Sequence, residues 1–272
     1  MAPVQPDNGM TGFRRRLAAG EPLLGTFLKT PSVHSTEIFG GAGFDFVVVD
    51  QEHAPFDRVA TDTILLAARA SGIDALVRVP RADPSDILAV LDDGATGVLV
   101  PHVATPDRAR EIVAASRYRG GRRGFSNSPR AGRYGAASIW EHVDAADAAT
   151  VVLAMIEDPE ALDVIDAIAA VEGLDGFFIG RGDLTVAFGA AAPDAPVVRV
   201  AVERIAAAAR AAGKPWCAHV GGGDEAEIAW LAGLGCSAFI AASDQGLMRR
   251  AALGVRSSFD GFKAAGMFGP VR

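Results

Sequence analysis

A run of valines breaks off into Asp50-Gln51-Glu52-His53, an abrupt change from apolar to ionisable side chains. Two carboxylates and an imidazole at the end of a buried strand can hold a cation, orient a base or move a proton, if a rigid edge supports them. Similar groups recur further along. Arg78 stands inside the apolar run 74–80, Glu157 lies in the run 151–158, and Asp183 follows the run 174–180 in Gly-Arg-Gly-Asp-Leu-Thr. An unpaired guanidinium within a strand is costly. Arg78 therefore either pairs with Asp50 or Glu52 or offers its fork of donors to an anionic oxygen. Glu157 and Asp183 are one strand–helix repeat apart, which puts them on neighbouring strands about 4.8 Å from each other. Two carboxylates that close repel unless a cation joins them, and oxygen ligation by few protein groups suits Mg²⁺ or Mn²⁺. The alternative is that Asp183 caps a helix and Glu157 pairs with an arginine. Spacing does not separate the two, and His53 by itself equally suits a structural loop.

These groups need a frame. Near-continuous apolar runs fall at 22–28, 44–50, 74–80, 94–101, 151–158, 174–180, 214–220 and 236–242, as expected for parallel strands covered on both faces. Amphipathic helical patterns separate them, two of which stop at Gly94 and Gly213. Eight such repeats predict a single-domain (β/α)8 TIM barrel over 1–272, with a short extension to about residue 20 and a helical tail from about 245. An open doubly wound sheet would need a glycine-rich fingerprint after the first strand, and none is present. In a barrel, reactive groups come from the C-terminal ends of strands.

That rule sorts the remaining candidates. Lys29 follows the end of the first run and is a possible Schiff-base lysine, whereas Lys214 starts the seventh and lies at the opposite face. Gly221, Gly222 and Gly223 after His219 could cradle an anion or simply turn the chain. The long linker after the fourth run carries Arg122, Arg123, Arg130 and Arg133, and is predicted to hold a second helix at Ser138–Ala149. It reads as a lid, an anion gate or a subunit contact.

Half of the 272 residues are apolar, and the net charge of −7 argues against nucleic acid or anionic membrane as partner. Cys217 and Cys236 lie in apolar runs and read as reduced core thiols. The N-terminal stretch lacks a signal-peptide apolar segment, so a soluble cytoplasmic protein is expected.

The motifs VVVDQEHAPFD, ALVRVP, VLDDGATGVLVPHV, AMIED, VEGLDGFFIGRGDLT and ASDQGLMRRAA resemble, in order and spacing, the HpcH/HpaI aldolase family, over roughly residues 20 to 255. The resemblance implies a class II pyruvate aldolase on a TIM barrel, usually a homohexamer of swapped dimers. It cleaves a 2-oxo-4-hydroxy acid to pyruvate and an aldehyde. By position, Glu157 and Asp183 would ligate Mg²⁺, Mn²⁺ or possibly Co²⁺. His53 would be the catalytic base oriented by Asp92, Arg78 would hold the keto oxygen, Asp50 and Glu52 would support His53, and Gly180 and Phe27 would border the substrate. The chain departs from the family in Phe27 (commonly tryptophan), Met155 (commonly glutamine) and Arg181. Rival readings are oxaloacetate decarboxylation, acyl-CoA lyase chemistry at the same site, or a barrel that has lost catalysis and serves as a binding protein. An acyl-CoA substrate would need a basic groove, for which the sequence offers only 122–133.

Overall fold

The structure is a computed structural model, and it describes residues 9–222, 224–265 and 267. Eight strands, β1 (Leu23–Leu28), β2 (Phe46–Asp50), β3 (Asp74–Arg78), β4 (Gly97–Val100), β5 (Val151–Ile156), β6 (Gly176–Ile179), β7 (Trp216–Val220) and β8 (Ala238–Ser243), close into one parallel barrel in sequence order. Each of the first seven apolar runs contains one of them, and β8 extends one residue past the eighth, to Ser243. The strand side chains have two destinations. One set packs outward under the helices, as with Val47, Val49, Val77, Val98 and Val152. The other fills the interior, as with Phe27, Val48, Leu76, Leu99, Met155, Phe178, Cys217 and Ile240. Burial on both faces is why the runs show no apolar–polar alternation.

Local signals set the helix ends. Asp57, Asp83 and Thr105 each accept a backbone N–H at the start of the next helix. Ser138 and Glu141 form a capping box for Ile139–Ala149, so the helix expected in the long linker is present. The last described helix, Asp244–Ala264, leaves the barrel with its residues beyond Met248 exposed. Both cysteines are free and buried. No described helix is long and apolar enough to cross a membrane.

The helix Gly9–Ala18 is a plug. Phe13 and Leu17 are buried in the same cluster as the barrel interior, and the Phe13 ring lies 5.3 Å from that of Phe46. Gly25 makes room for this bottom layer, since a Cβ on it would come within 2.4 Å of the Phe46 ring. Arg14 locks the helix by donating to Asp175 at 2.7 Å. The bottom is therefore closed, and the polar ring described below lies at the other end.

One bottom residue carries a charge at a cost. Asp74 begins β3 and accepts the Thr96 hydroxyl at 3.0 Å. Burial pushes its carboxyl from 3.8 up to about 6, outweighing the Thr96 bond and the nearby Arg16 charge. Below pH 3.8 both folded and unfolded chains hold this proton, and stability is unaffected. As pH rises towards 6, the unfolded chain ionises first and stability falls; above that the penalty is constant, at most about 3 kcal/mol. Asp74→Asn, which keeps an oxygen for Thr96, should be more stable than the parent in urea at pH 7.5 and equal to it near pH 3.5. Equal stability at both pH values would contradict this assignment.

Candidate active site

Continuing each inward row by two residues beyond the apolar interior reaches Lys29 from Phe27, Asp50 from Val48, Arg78 from Leu76, Glu157 from Met155, Gly180 from Phe178 and His219 from Cys217. Period two along a strand keeps these on the inner face. The top layer of the barrel interior is thus a ring of ionisable groups resting on an apolar floor.

Asp50 is the hub. It has no exposed surface. Its Oδ1 accepts Arg78 Nε at 2.9 Å and the His53 N–H at 3.1 Å, and its Oδ2 accepts Arg78 Nη2 at 2.7 Å. Lys29 Nζ lies 2.9 Å from the same Oδ2. Burial opposes the charge, but the bonds and charge of Arg78, with Lys29 and the His53 N–H, hold the carboxyl at about 2. Arg78 is therefore fixed in plane, its face 5.0 Å from the Phe27 ring centre and its Nη1 4.0 Å from the Met155 sulfur. Of the two roles open to Arg78, the pairing with Asp50 is realised. Glu52 reaches Nη1 at 3.2 Å and stands 3.8 Å from His53 Nε2. The His53 ring itself is largely exposed at the mouth.

Glu157 and Asp183 converge. Glu157 is buried, and Asp183 projects from the first turn of the helix Arg181–Ala187. Burial pushes the Glu157 carboxyl up to about 7, and the Asp183 carboxyl, close enough to share a proton, adds to the rise. The alternative of an arginine on Glu157 is not realised: its Oε1 accepts the His102 N–H at 2.9 Å. Gly180 leaves the room this needs. A Cβ there would fall 2.5 Å from Glu157 Cβ and 2.8 Å from its Oε2.

His102 is a site residue that sequence reasoning passed over. It follows β4 with φ of 55°, its Nδ1 is 3.1 Å from Asp158 Oδ1, and its Nε2 is 3.9 Å from Glu52 Oε1. Partial burial lowers its pKa, but the bond to Asp158 and the charges of Glu157, Asp158 and Glu52 outweigh that, and the net shift is upward. The strand-end rule that found Glu157 also selects His102.

Within this chain Asp92, the last residue of the helix Pro84–Asp92, accepts Arg123 Nη2 at 3.0 Å. The Arg123 side chain is 1% exposed and needs that counter-charge. Arg130 is likewise committed, to Asp62 and the Asp93 carbonyl, so these two linker arginines do not gate the mouth. Arg181 stands beside Asp183 in sequence but turns away, donating to the His219 carbonyl at 2.6 Å and pairing with Glu227 at 2.7 Å. Gly221 and Gly222 turn β7 outward and Gly221 accepts Arg250, whereas Gly223 lies outside the described residues.

Known proteins share this arrangement of chain. The HpcH/HpaI aldolase/citrate lyase family matches residues 23–221. A 5-keto-4-deoxy-D-glucarate aldolase of Enterobacter sp. (strain 638) is 38% identical over 205 residues, 75% of this chain and 79% of the relative. A solved HpcH/HpaI aldolase/citrate lyase family protein from Burkholderia cenocepacia J2315 superposes with a TM-score of 0.86 at 28% identity, over 92% of this chain and 99% of that one. The citrate synthase SbnG does so with a TM-score of 0.82 at 32% identity, over 94% and 98%.

Asp50→Asn would leave Arg78 and Lys29 without their shared carboxylate. Losing one partner of a buried pair typically costs about 3–5 kcal/mol, and urea unfolding at pH 7 should show a loss of that order. A loss below about 1 kcal/mol would mean that Asp50 is not the anchor of the ring.

Proposed function

This chain belongs to the HpcH/HpaI aldolase/citrate lyase family and is a carbon–carbon lyase; from that premise we propose that it is a metal-dependent aldolase. It cleaves a 2-oxo-4-hydroxy acid to pyruvate (or a close 2-oxo acid) and an aldehyde, and joins them in reverse. The observation that carries this reading is the meeting of Glu157 and Asp183 at the barrel end that also holds Arg78. The relative whose name gives 5-keto-4-deoxy-D-glucarate, a dicarboxylic oxo acid, supports the substrate class.

The residues present fit a divalent cation. Glu157 is a buried carboxyl held back from ionising by burial and by Asp183, a cost that a cation removes. Among the described residues no three His, Cys, Asp or Glu form a closed metal cage. An open two-carboxylate site suits Mg²⁺, Mn²⁺ or Co²⁺ completed by water and substrate oxygens. Glu157 and Asp183 would hold the ion, and bound there it supplies positive charge to the carboxylate and keto oxygens of pyruvate.

The chain's own groups do the rest. In cleavage His53 takes the proton of the 4-hydroxyl, the C3–C4 bond breaks, and its electron pair moves towards the keto oxygen. Arg78, held flat by Asp50, donates to that oxygen as negative charge collects on it. The pyruvate enolate is then protonated at C3. Glu52 supports both His53 and Arg78 from 3.8 and 3.2 Å. Phe27 and Met155 line the apolar side, and Gly180 leaves room for the Glu157 side chain. Lys29 is engaged with Asp50, an arrangement that favours enolate over Schiff-base chemistry. Acyl-CoA chemistry is disfavoured because Arg123 and Arg130 of the linker are committed internally.

Assembly from several copies, a hexamer by family resemblance, is part of the proposal. The helix Asp244–Ala264 carries exposed Leu253, Val255, Phe259 and Phe262, a pattern suited to packing against another copy.

Purified protein given pyruvate and short aldehydes should form aldol product, stop with EDTA and recover with Mg²⁺ or Mn²⁺. Product formation that survives EDTA would contradict the reading. By calorimetry Asp183→Ala should bind Mn²⁺ at least about tenfold more weakly. His53→Ala should bind Mn²⁺ normally and lose about 10²-fold or more in kcat. A fully active Arg78→Ala enzyme would remove the role given to that side chain.

A further inference from the structure

We propose that Lys29 selects the aldehyde partner: its ammonium receives a carboxylate on the aldehyde, across the barrel mouth from Glu157. The inference rests on the aldol reading above and names the chemical class of its acceptor.

The mouth is divided by charge. Glu157 and Asp158 follow β5, and Asp183 follows β6. β1 stands four strands from β5 around the closed ring, which sets Lys29 opposite Glu157, with Arg78 on β3 between them. A 2-oxo acid held by the acidic side, with its keto oxygen towards Arg78 and its 4-hydroxyl at His53 after β2, would extend its remaining carbons away from β5 and β6, into the sector around β1. That sector holds Lys29, with His219 of β7 at its border.

Lys29 is built to face the sector. It continues the inward row of β1 beyond Phe27, and its Nζ stands 5.9 Å from the Phe27 ring centre. Its backbone is pinned, because its N–H donates to Asp244 Oδ1 at 2.9 Å and its carbonyl accepts Gln245 Nε2 at 3.1 Å. The Asp244 carboxylate is itself occupied by the N–H groups of Lys29, Thr30 and Gln245. Asp50 already receives two bonds from Arg78, and one N–H of the ammonium reaches it, leaving two for a ligand. The side chain is 27% exposed, open enough to meet a ligand, and its Nζ is held 2.9 Å from Asp50.

Nothing else in the sector competes. Arg181 is spent on the His219 carbonyl and Glu227. The His219 ring, exposed at the mouth, lies 6.1 Å from the Phe27 ring, and desolvation by the surrounding protein with the nearby Arg181 and Lys29 charges lowers its pKa, so it offers the sector no competing ammonium. Of the chain's three lysines, Lys214 donates to the Val171 and Leu174 carbonyls and Lys263 lies on the last described helix. Lys29 is the ammonium of this mouth.

A bare counter-ion role for Lys29 would affect every acceptor alike; a selecting role would not. The test pairs two two-carbon aldehydes, anionic glyoxylate and neutral glycolaldehyde, each with pyruvate and Mn²⁺, on the parent, Lys29→Gln and Lys29→Arg. Glutamine still donates an N–H to Asp50, and arginine keeps the charge. The ratio of kcat/KM for glyoxylate over glycolaldehyde should fall about tenfold or more in Lys29→Gln, through KM for glyoxylate. In Lys29→Arg it should stay within about threefold of the parent. An unchanged ratio in Lys29→Gln, with both acceptors slowed equally, overturns the proposal. A Lys29→Gln chain that does not fold moves the decision to Lys29→Arg, in which a ratio collapsing beyond about tenfold overturns it. A parent inert to both aldehydes overturns the aldol reading, and this subsite with it.

Discussion

A carboxylate with no exposed surface, Asp50, keeps its charge at the top of a barrel otherwise filled with apolar side chains. That is possible only because four donors, one after β1, two from Arg78 on β3 and one in the turn after β2, close on its two oxygens. The constraint runs both ways. Arg78 could not sit inside a strand without Asp50, and Asp50 could not stay ionised without Arg78 and Lys29. The His53 backbone is tied to the same oxygen as Arg78 Nε, so the loop carrying the imidazole is held by the group that holds the guanidinium.

The other half of the mouth is arranged on the opposite principle. Burial, with Asp183 beside it, pushes the Glu157 carboxyl up to about 7 against the lowering by the His102 N–H and charge. Gly180 permits the approach by withholding a Cβ. One side of the ring is thus satisfied by a buried ion pair, whereas on the other the two carboxyls share the neighbourhood of His102, whose Nδ1 lies 3.5 Å from Glu157 Oε1. Under the proposed function this second side would receive the cation, with Arg78 across from it.

Much of this was legible in the amino-acid sequence, for physical reasons. Parallel strands buried on both faces leave continuous apolar runs, and the first ionisable residue after such a run falls at the barrel end where reactive groups gather. That logic located Asp50, Arg78, Glu157 and Asp183, and it applied equally to His102, which was passed over among weightier neighbours. What could not be read were partners set by loops. Asp92 meets Arg123 across a linker whose path no local pattern encodes. Arg181, adjacent to Asp183 in sequence, turns outward to Glu227 because a helix start points successive side chains in different directions. The plug formed by Phe13 and Leu17 is likewise a long-range packing choice.

Loss of a methyl proton from pyruvate, at a site where Glu157 and Asp183 would hold a divalent cation, precedes any choice of aldehyde. The exchange of pyruvate methyl protons in D₂O, followed by NMR with protein alone, isolates that step. Exchange that requires added Mn²⁺ or Mg²⁺, stops with EDTA and disappears in Glu157→Gln is the predicted result. Exchange that persists in EDTA, or that Glu157→Gln performs as fast as the parent, would contradict it.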